Sequence, residues 1–177
     1  MNPSISTTRS LRMSRVFFLA IMASGVLLLG SAQAMQMPGM SAGSPEHDAD
    51  AFAALTVGNA SLAKKDLNKA TADSSEPQMA RMHAHEALAS LTQHKPAAAR
   101  MHAENGAAVE HFTYALHALH HNKIGTDAMA RSHLNEALAL APFKKYAKAA
   151  LAALGRKDRS TATAATRQGL KAAEMAA

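Results

Sequence analysis

Three observations predict an all-α protein, an up-down-up-down four-helix bundle. Ala, Leu, Lys and Glu dominate the chain, whereas β-branched residues and alternating apolar runs are scarce. Four stretches carry apolar residues at helical spacing, and short segments rich in Pro, Gly, Asn and Ser separate them, so neighbouring helices must reverse direction. With no Trp and no Cys, the core must be built from Leu and Ala, which suits helices that approach closely, and neither disulfides nor thiolate sites can support it.

The elements follow in order. Arg9, Arg12 and Arg15 precede an apolar run from Val16 to Leu29, and Ser31-Ala-Gln-Ala34 offers small residues before a cut, so residues 1–34 read as a cleaved secretory signal peptide. The apolar run is shorter than the roughly 20 residues of a spanning helix. A cut after Ala34 leaves 143 residues, one small domain, with 16 basic against 13 acidic groups. That charge is too mild to argue for nucleic acid. The export signal predicts a periplasmic location.

Residues 35–45 hold Met, Pro, Gly and Ser without periodicity and read as a flexible, Met-rich mature terminus. The helical bundle is expected over residues 46–155. Helix one runs from about Glu46 to Lys69, with Gly58 as a bend, and Thr71 to Pro77 forms a loop. Helix two covers about Pro77 to Gln93, where His94-Lys-Pro96 breaks it, and helix three runs from about Pro96 to His121. Asn122-Lys-Ile-Gly-Thr126 forms the next turn, with Thr126 or Asp127 as N-cap of helix four. Pro142 either kinks that helix or opens a fifth, C-terminal one ending near Leu154, and Gly155 is a natural stop. Residues 156–177 form an Ala-rich tail with only Leu170 and Met175 as sizeable apolar residues, expected to dock loosely.

The chain repeats itself. Met79-Ala-Arg-Met-His-Ala-His-Glu-Ala-Leu-Ala89 and Met129-Ala-Arg-Ser-His-Leu-Asn-Glu-Ala-Leu-Ala139 agree at eight of eleven positions, 50 residues apart. Each copy reads Met-x-x-x-His-x-x-Glu-Ala-Leu, a thioether, an imidazole and a carboxylate beside a packing stripe. At about 100° per residue, Ala80, Ala84, Ala87, Leu88 and Leu91 share one side of helix two, while Met79, Met82, His83 and Glu86 fall on another, with His85 one turn from Met82.

In helix three, Met101, Val109, Phe112, Leu116 and Leu119 define the core side, and Glu110, Tyr114, His117 and His121 the opposite one. His117 and His121, one turn apart, can hold a divalent ion, with Glu110 as an oxygen donor or second partner; His102 and His120 flank them. Helix four pairs Met129 with His133, with Glu136 on the same flank. A single His on a helix is usually solvated or hydrogen-bonded, the ordinary account of His47, His94 and His111 taken one by one, and Met79, Met101 and Met129 suit a core as flexible filler. Nine of the ten histidines fall between His83 and His133. That density favours metal.

Thioethers suit Cu(I), imidazoles suit Cu(II), and Cu(II) heads the affinity order for nitrogen and oxygen sites, so copper is the expected ion, with Zn, Ni and Ag compatible with the same donors. Met35, Met37 and Met40 add three thioethers within six residues.

The His-x-x-Glu-Ala-Leu segments, the export signal and the run from Asn122 to Leu138 resemble the small metal-binding protein (SmbP-like) family, over about Met79 to Leu140. The resemblance implies a His-rich periplasmic four-helix bundle that binds copper and other divalent ions, with His83, His111 and His133 at the repeated His positions and His117 as the extra His after the Ala-Leu pair. The chain departs from that pattern in lacking a His after Ala89 and Ala139 and in using Met more heavily, a shift towards Cu(I).

The function predicted is non-enzymatic: a periplasmic protein, expected to be monomeric, that sequesters or ferries copper in shallow surface sites and contributes to metal resistance, with a periplasmic metal exporter or chaperone as a possible protein partner. No nucleophile elbow, phosphate loop or His-Glu-x-x-His motif speaks for an enzyme. A tetratricopeptide-like interaction module is the competing reading, since Leu134 to Pro142 is similar to the close of such a repeat, but the period is 50 rather than 34 residues. A haem bundle with Met/His ligands is a third, without a Cys-x-x-Cys-His attachment motif.

Overall fold

A computed structural model describes residues 46–121 and 125–176. The signal peptide and the Met-rich segment expected before Glu46 lie outside the described residues. Within them the chain is all-α, with seven helices and no strand: α1 His47–Thr56, α2 Ala60–Ala72, α3 Gln78–Thr92, α4 Pro96–His120, α5 Thr126–Glu136, α6 Lys144–Gly155 and α7 Arg159–Glu174. A single 3-10 turn, Ala137–Ala139, extends α5. Among the described residues no helix is long and apolar enough to cross a membrane.

Helix boundaries follow local chemistry. Gly58, at φ 78, does more than bend the expected first helix; it ends α1, and the Asn59 amide turns back to the Ala54 carbonyl at 2.8 Å. Asn59 then caps α2 by accepting from the Leu62 amide at 3.0 Å. The same six-residue closure ends α3 at His94 (φ 56), through Lys95 N–H to Ser90 O at 2.9 Å, and α6 at Lys157 (φ 59), through Asp158 N–H to Ala153 O at 3.0 Å. Gly155, expected to stop the chain's last helix, is instead the final residue of α6. Gly125, not Thr126 or Asp127, takes the cap of α5, because its φ of 89 suits glycine; Asp127 sits in the first turn, where its charge faces the helix dipole.

Helix α4 is the spine. It packs against α1, α3, α5 and α7, and two buried clusters share it. One cluster centres on Phe112 with Val109, Leu119, Leu134, Phe143 and Leu154; the other joins Ala51, Ala54, Leu67, Ala84 and Ala87 to Ala103. Of the expected core side of this helix, Val109, Phe112 and Leu119 are buried, whereas Met101 lies 43% exposed near the free end.

The segment expected to dock loosely forms α7 instead. Ala162, Ala165, Gly169 and Ala173 recur at helical spacing, and small residues let two backbones meet without large side chains between them. At the meeting point a Cβ on Gly169 would fall 2.5 Å from the Phe112 ring. Arg159 locks the other end. Its guanidinium donates to the Ala118, Leu119 and His121 carbonyls at the C-terminus of α4, and pairs with Asp127.

Gly169→Ala should therefore destabilise the fold by about 1–3 kcal/mol, the usual cost of overpacking. Urea unfolding measures it; a midpoint equal to that of the parent chain would contradict the close contact.

Candidate metal centres

The two copies of the repeat fall on α3 and α5, on either side of α4, and each meets one histidine of α4. In the first group His83 Nδ1 and His102 Nδ1 lie 3.2 and 3.1 Å from the same oxygen, Glu86 Oε2. In the second, His111 Nδ1 and His133 Nδ1 lie 3.3 and 3.6 Å from Glu136 Oε2. Glu46 adds a fourth donor there, its Oε1 being 3.5 Å from His111 Nδ1 and 2.9 Å from His133 Nδ1. The donor pattern is thus the same twice over: repeat His, repeat Glu and a His from α4.

These distances are those of charged His–Glu pairs and are also compatible with a shared ion. His102, His111 and His133 each bury Nδ1 without an aligned hydrogen-bond partner, although carboxylate oxygens stand within 3.6 Å. Donors at 2.0–2.1 Å from a tetrahedral ion are separated from one another by about 3.3–3.4 Å, inside the range found. His83 shows the supporting contact that such ligands need. Its Nε2 lies 3.3 Å from the Ala173 carbonyl and its Nδ1 3.2 Å from Glu86 Oε2, so the ring is held between two acceptors, and an ion on Nδ1 would leave the Nε2 proton to the Ala173 carbonyl.

The second group is electrostatically coupled. Burial opposes the charge on Glu46, yet the imidazoles of His111 and His133 outweigh it and hold the carboxyl down at about 2. Burial likewise disfavours charge on His133, but the Glu136 and Glu46 carboxylates win and push it up to about 9. Glu46 is the residue at the cap position of α1, and its side chain makes no cap. Glu110 does that work from α4, accepting from the Asp48 and Ala49 amides at 2.9 and 3.2 Å.

The residues predicted from sequence divide accordingly. His83, Glu86 and His102 come together, as do His111 and His133. His117 and His121 face each other with Nε2 atoms 2.9 Å apart on the exposed side, a two-donor arrangement that leaves the rest of an ion's shell to water. Burial first, then the charges of His121 and His120, lowers the His117 pKa. His120 Nε2 accepts from Arg167 at 3.2 Å.

Four expectations are corrected. Glu110 is fully buried and caps α1, so it is no donor to His117 and His121; burial first, then Asp48 and Glu76, pushes its carboxyl well above the ordinary range. Met79 and Met129 pack against the Phe112 cluster, as apolar fillers. Met82 and His85 point to solvent outside either donor group. Finally, the groups are shallow on one side only: His83 and His111 are each 4% exposed, while the Glu86 and Glu136 side chains stay about half exposed at 47% and 46%.

Sequence reasoning missed Glu46. Its one signal was a poor capping residue standing where Ser, Thr, Asp or Asn is usual. His47 opens a weak copy of the repeat, His47-Asp-Ala-Asp-Ala-Phe52, while Asp73 and Glu76 carried no signal.

No known family, curated protein or solved structure matches the chain. The likeness to small metal-binding proteins rests on the repeat segments, the leader pattern and the run from Asn122 to Leu138.

The sign of the pH effect in metal-free protein follows from the pair. The His133 contribution is complete below pH 6.5 and fades as pH rises through about 9, and the Glu46 contribution is complete above pH 4.5 and fades as pH falls through about 2. Asp48 and Glu110, raised by burial, also lose stability as pH rises, so a comparison isolates the pair. Glu46→Gln should flatten the fall in thermal midpoint between pH 6.5 and 9 that the parent shows. Identical pH profiles for the two proteins would rule the coupling out.

Proposed function

We propose that this protein is a non-enzymatic metal binder that sequesters or carries a borderline divalent ion, Cu(II) foremost, in sites between the helices of an up-and-down bundle. The observation that carries the reading is the convergence of His111, His133, Glu46 and Glu136, drawn from α4, α5 and the residue before α1, with ligand atoms all within 4.8 Å. Two imidazoles and two carboxylates bind first-row divalent ions in the order that peaks at Cu(II), with Zn(II) and Ni(II) below it. The His83, Glu86 and His102 group repeats this chemistry with one carboxylate fewer.

The His and Glu donors that converge supply nitrogen and oxygen. Cu(I) and Ag(I) prefer thioethers, and Met79 and Met129 lie partly buried against the Phe112 cluster. The imidazole and carboxylate donors favour divalent copper. An exported chain, as the N-terminal leader pattern suggests, would use such sites to buffer or deliver copper in the periplasm, alone or with an exporter or chaperone.

Nothing in the arrangement requires catalysis. The repeat serves two ends in each copy: its Ala and Leu residues pack the helix, and its His and Glu hold the ion.

Competition titration with Cu(II), Zn(II) and Cu(I) tests the reading. His111→Ala should weaken the tighter Cu(II) site by about 100-fold or more, since even partners outside the ligand set cost 10–100-fold, and Met79→Leu should leave it unchanged. Absence of saturable Cu(II) binding, or an equal loss on Met79→Leu, would overturn it.

A further inference from the structure

A third donor group lies apart from the repeat. His47 opens α1, Asp73 closes α2, and Glu76 stands in the loop before α3. One ligand atom from each lies within 4.8 Å of the other two. The group shares no residue with the centres on α3 and α5.

Two of its atoms are buried without aligned partners. His47 is 9% exposed and Glu76 only 3%; neither His47 Nδ1 nor Glu76 Oε1 has an aligned hydrogen-bond partner, although the Glu76 carboxyl also faces the His47 amide and Glu110. Buried polar atoms are nearly always paired, and an unpaired one carries the full loss of its hydration. One oxygen of each carboxyl, by contrast, is held. The Tyr114 hydroxyl donates to Glu76 Oε2 at 3.5 Å, and the Ser75 amide and hydroxyl donate to Asp73 Oδ1 at 2.8 and 2.6 Å. Both carboxylates are therefore oriented by their outer contacts, as metal-binding carboxylates are.

We infer that His47, Asp73 and Glu76 form a further metal site of a different class, taking a harder divalent cation of the Mn(II) kind. One imidazole against two carboxylates narrows the advantage of Cu(II) and admits ions that favour oxygen, and the single nitrogen distinguishes the site from an all-oxygen one for calcium or magnesium. Water completes the shell. Because Glu46 and His47 are consecutive, the first turn of α1 supplies a ligand to the repeat-built centre on one side and to this site on the other.

Substoichiometric MnCl2 added to the ¹⁵N-labelled full chain locates the site directly, because the paramagnetic ion broadens nearby amide resonances. The amides of His47 and of residues 73–76 should broaden first, ahead of those around His83 or His133. Asp73→Asn and His47→Ala should each remove that local broadening while leaving Cu(II) titration unchanged. Broadening that starts at the repeat-built centres, that scatters over exposed carboxylates, or that persists at residues 73–76 in both variants would overturn the assignment. Failure of Cu(II) binding at the repeat would sink the proposed function without altering this Mn(II) result.

Discussion

The passage of α4 between α3 and α5 is the constraint on which the rest depends. His102 and His111 are nine residues apart on that helix, which at about 100° per residue places them half a turn apart, on opposite faces, and about 14 Å along the axis. Each face receives one copy of the repeat. A helix shorter by a turn, or a different register against either neighbour, would leave each repeat His beside its own Glu with no imidazole opposite. The convergence of each His/Glu group is thus a consequence of helix packing, and the packing rests on small side chains that allow α4 to be approached from four directions.

The start of α1 shows how such a site is accommodated. A helix needs its first amides satisfied, and the natural means is the side chain at the cap. Glu46 turns away to His111 and His133, and Glu110 on α4 takes over the amides of Asp48 and Ala49. Asp48 in turn lies against Gly106, where a Cβ would come within 2.6 Å of its carboxyl carbon. The substitution of one carboxylate for another concentrates acidic groups in the interior, and burial raises the pKa of Asp48 and Glu110. Stability is traded there for placement of a donor.

Much of this was legible in the residues, and the reasons for the rest are physical. The all-α class, the span of α3 and α4 and the placing of His83 and Glu86 one turn apart follow from period and spacing, which are local properties; His102, expected to flank His117 and His121, joins His83 and Glu86 only through the packing of α4 on α3. The four-helix count did not hold because Gly58 ends a helix where a bend was expected, and because the C-terminal segment packs through Ala and Gly rather than through the large apolar residues that mark a docked helix. Glu46 and the His47, Asp73, Glu76 group depend on contacts between segments far apart in sequence, about which helical spacing says nothing. The methionines divide: Met79 and Met129 pack partly buried against the Phe112 cluster, the filler role their type allows, while Met82 stays exposed.

X-ray absorption at the copper edge, on the protein loaded with one equivalent of Cu(II), probes the central claim most directly. A first shell of nitrogen and oxygen near 2.0 Å, with the multiple-scattering signature of two imidazoles and no sulfur, is the expected result. A sulfur scatterer near 2.3 Å, or a shell with a single imidazole, would contradict the assembly of each centre from one repeat histidine and one histidine of α4.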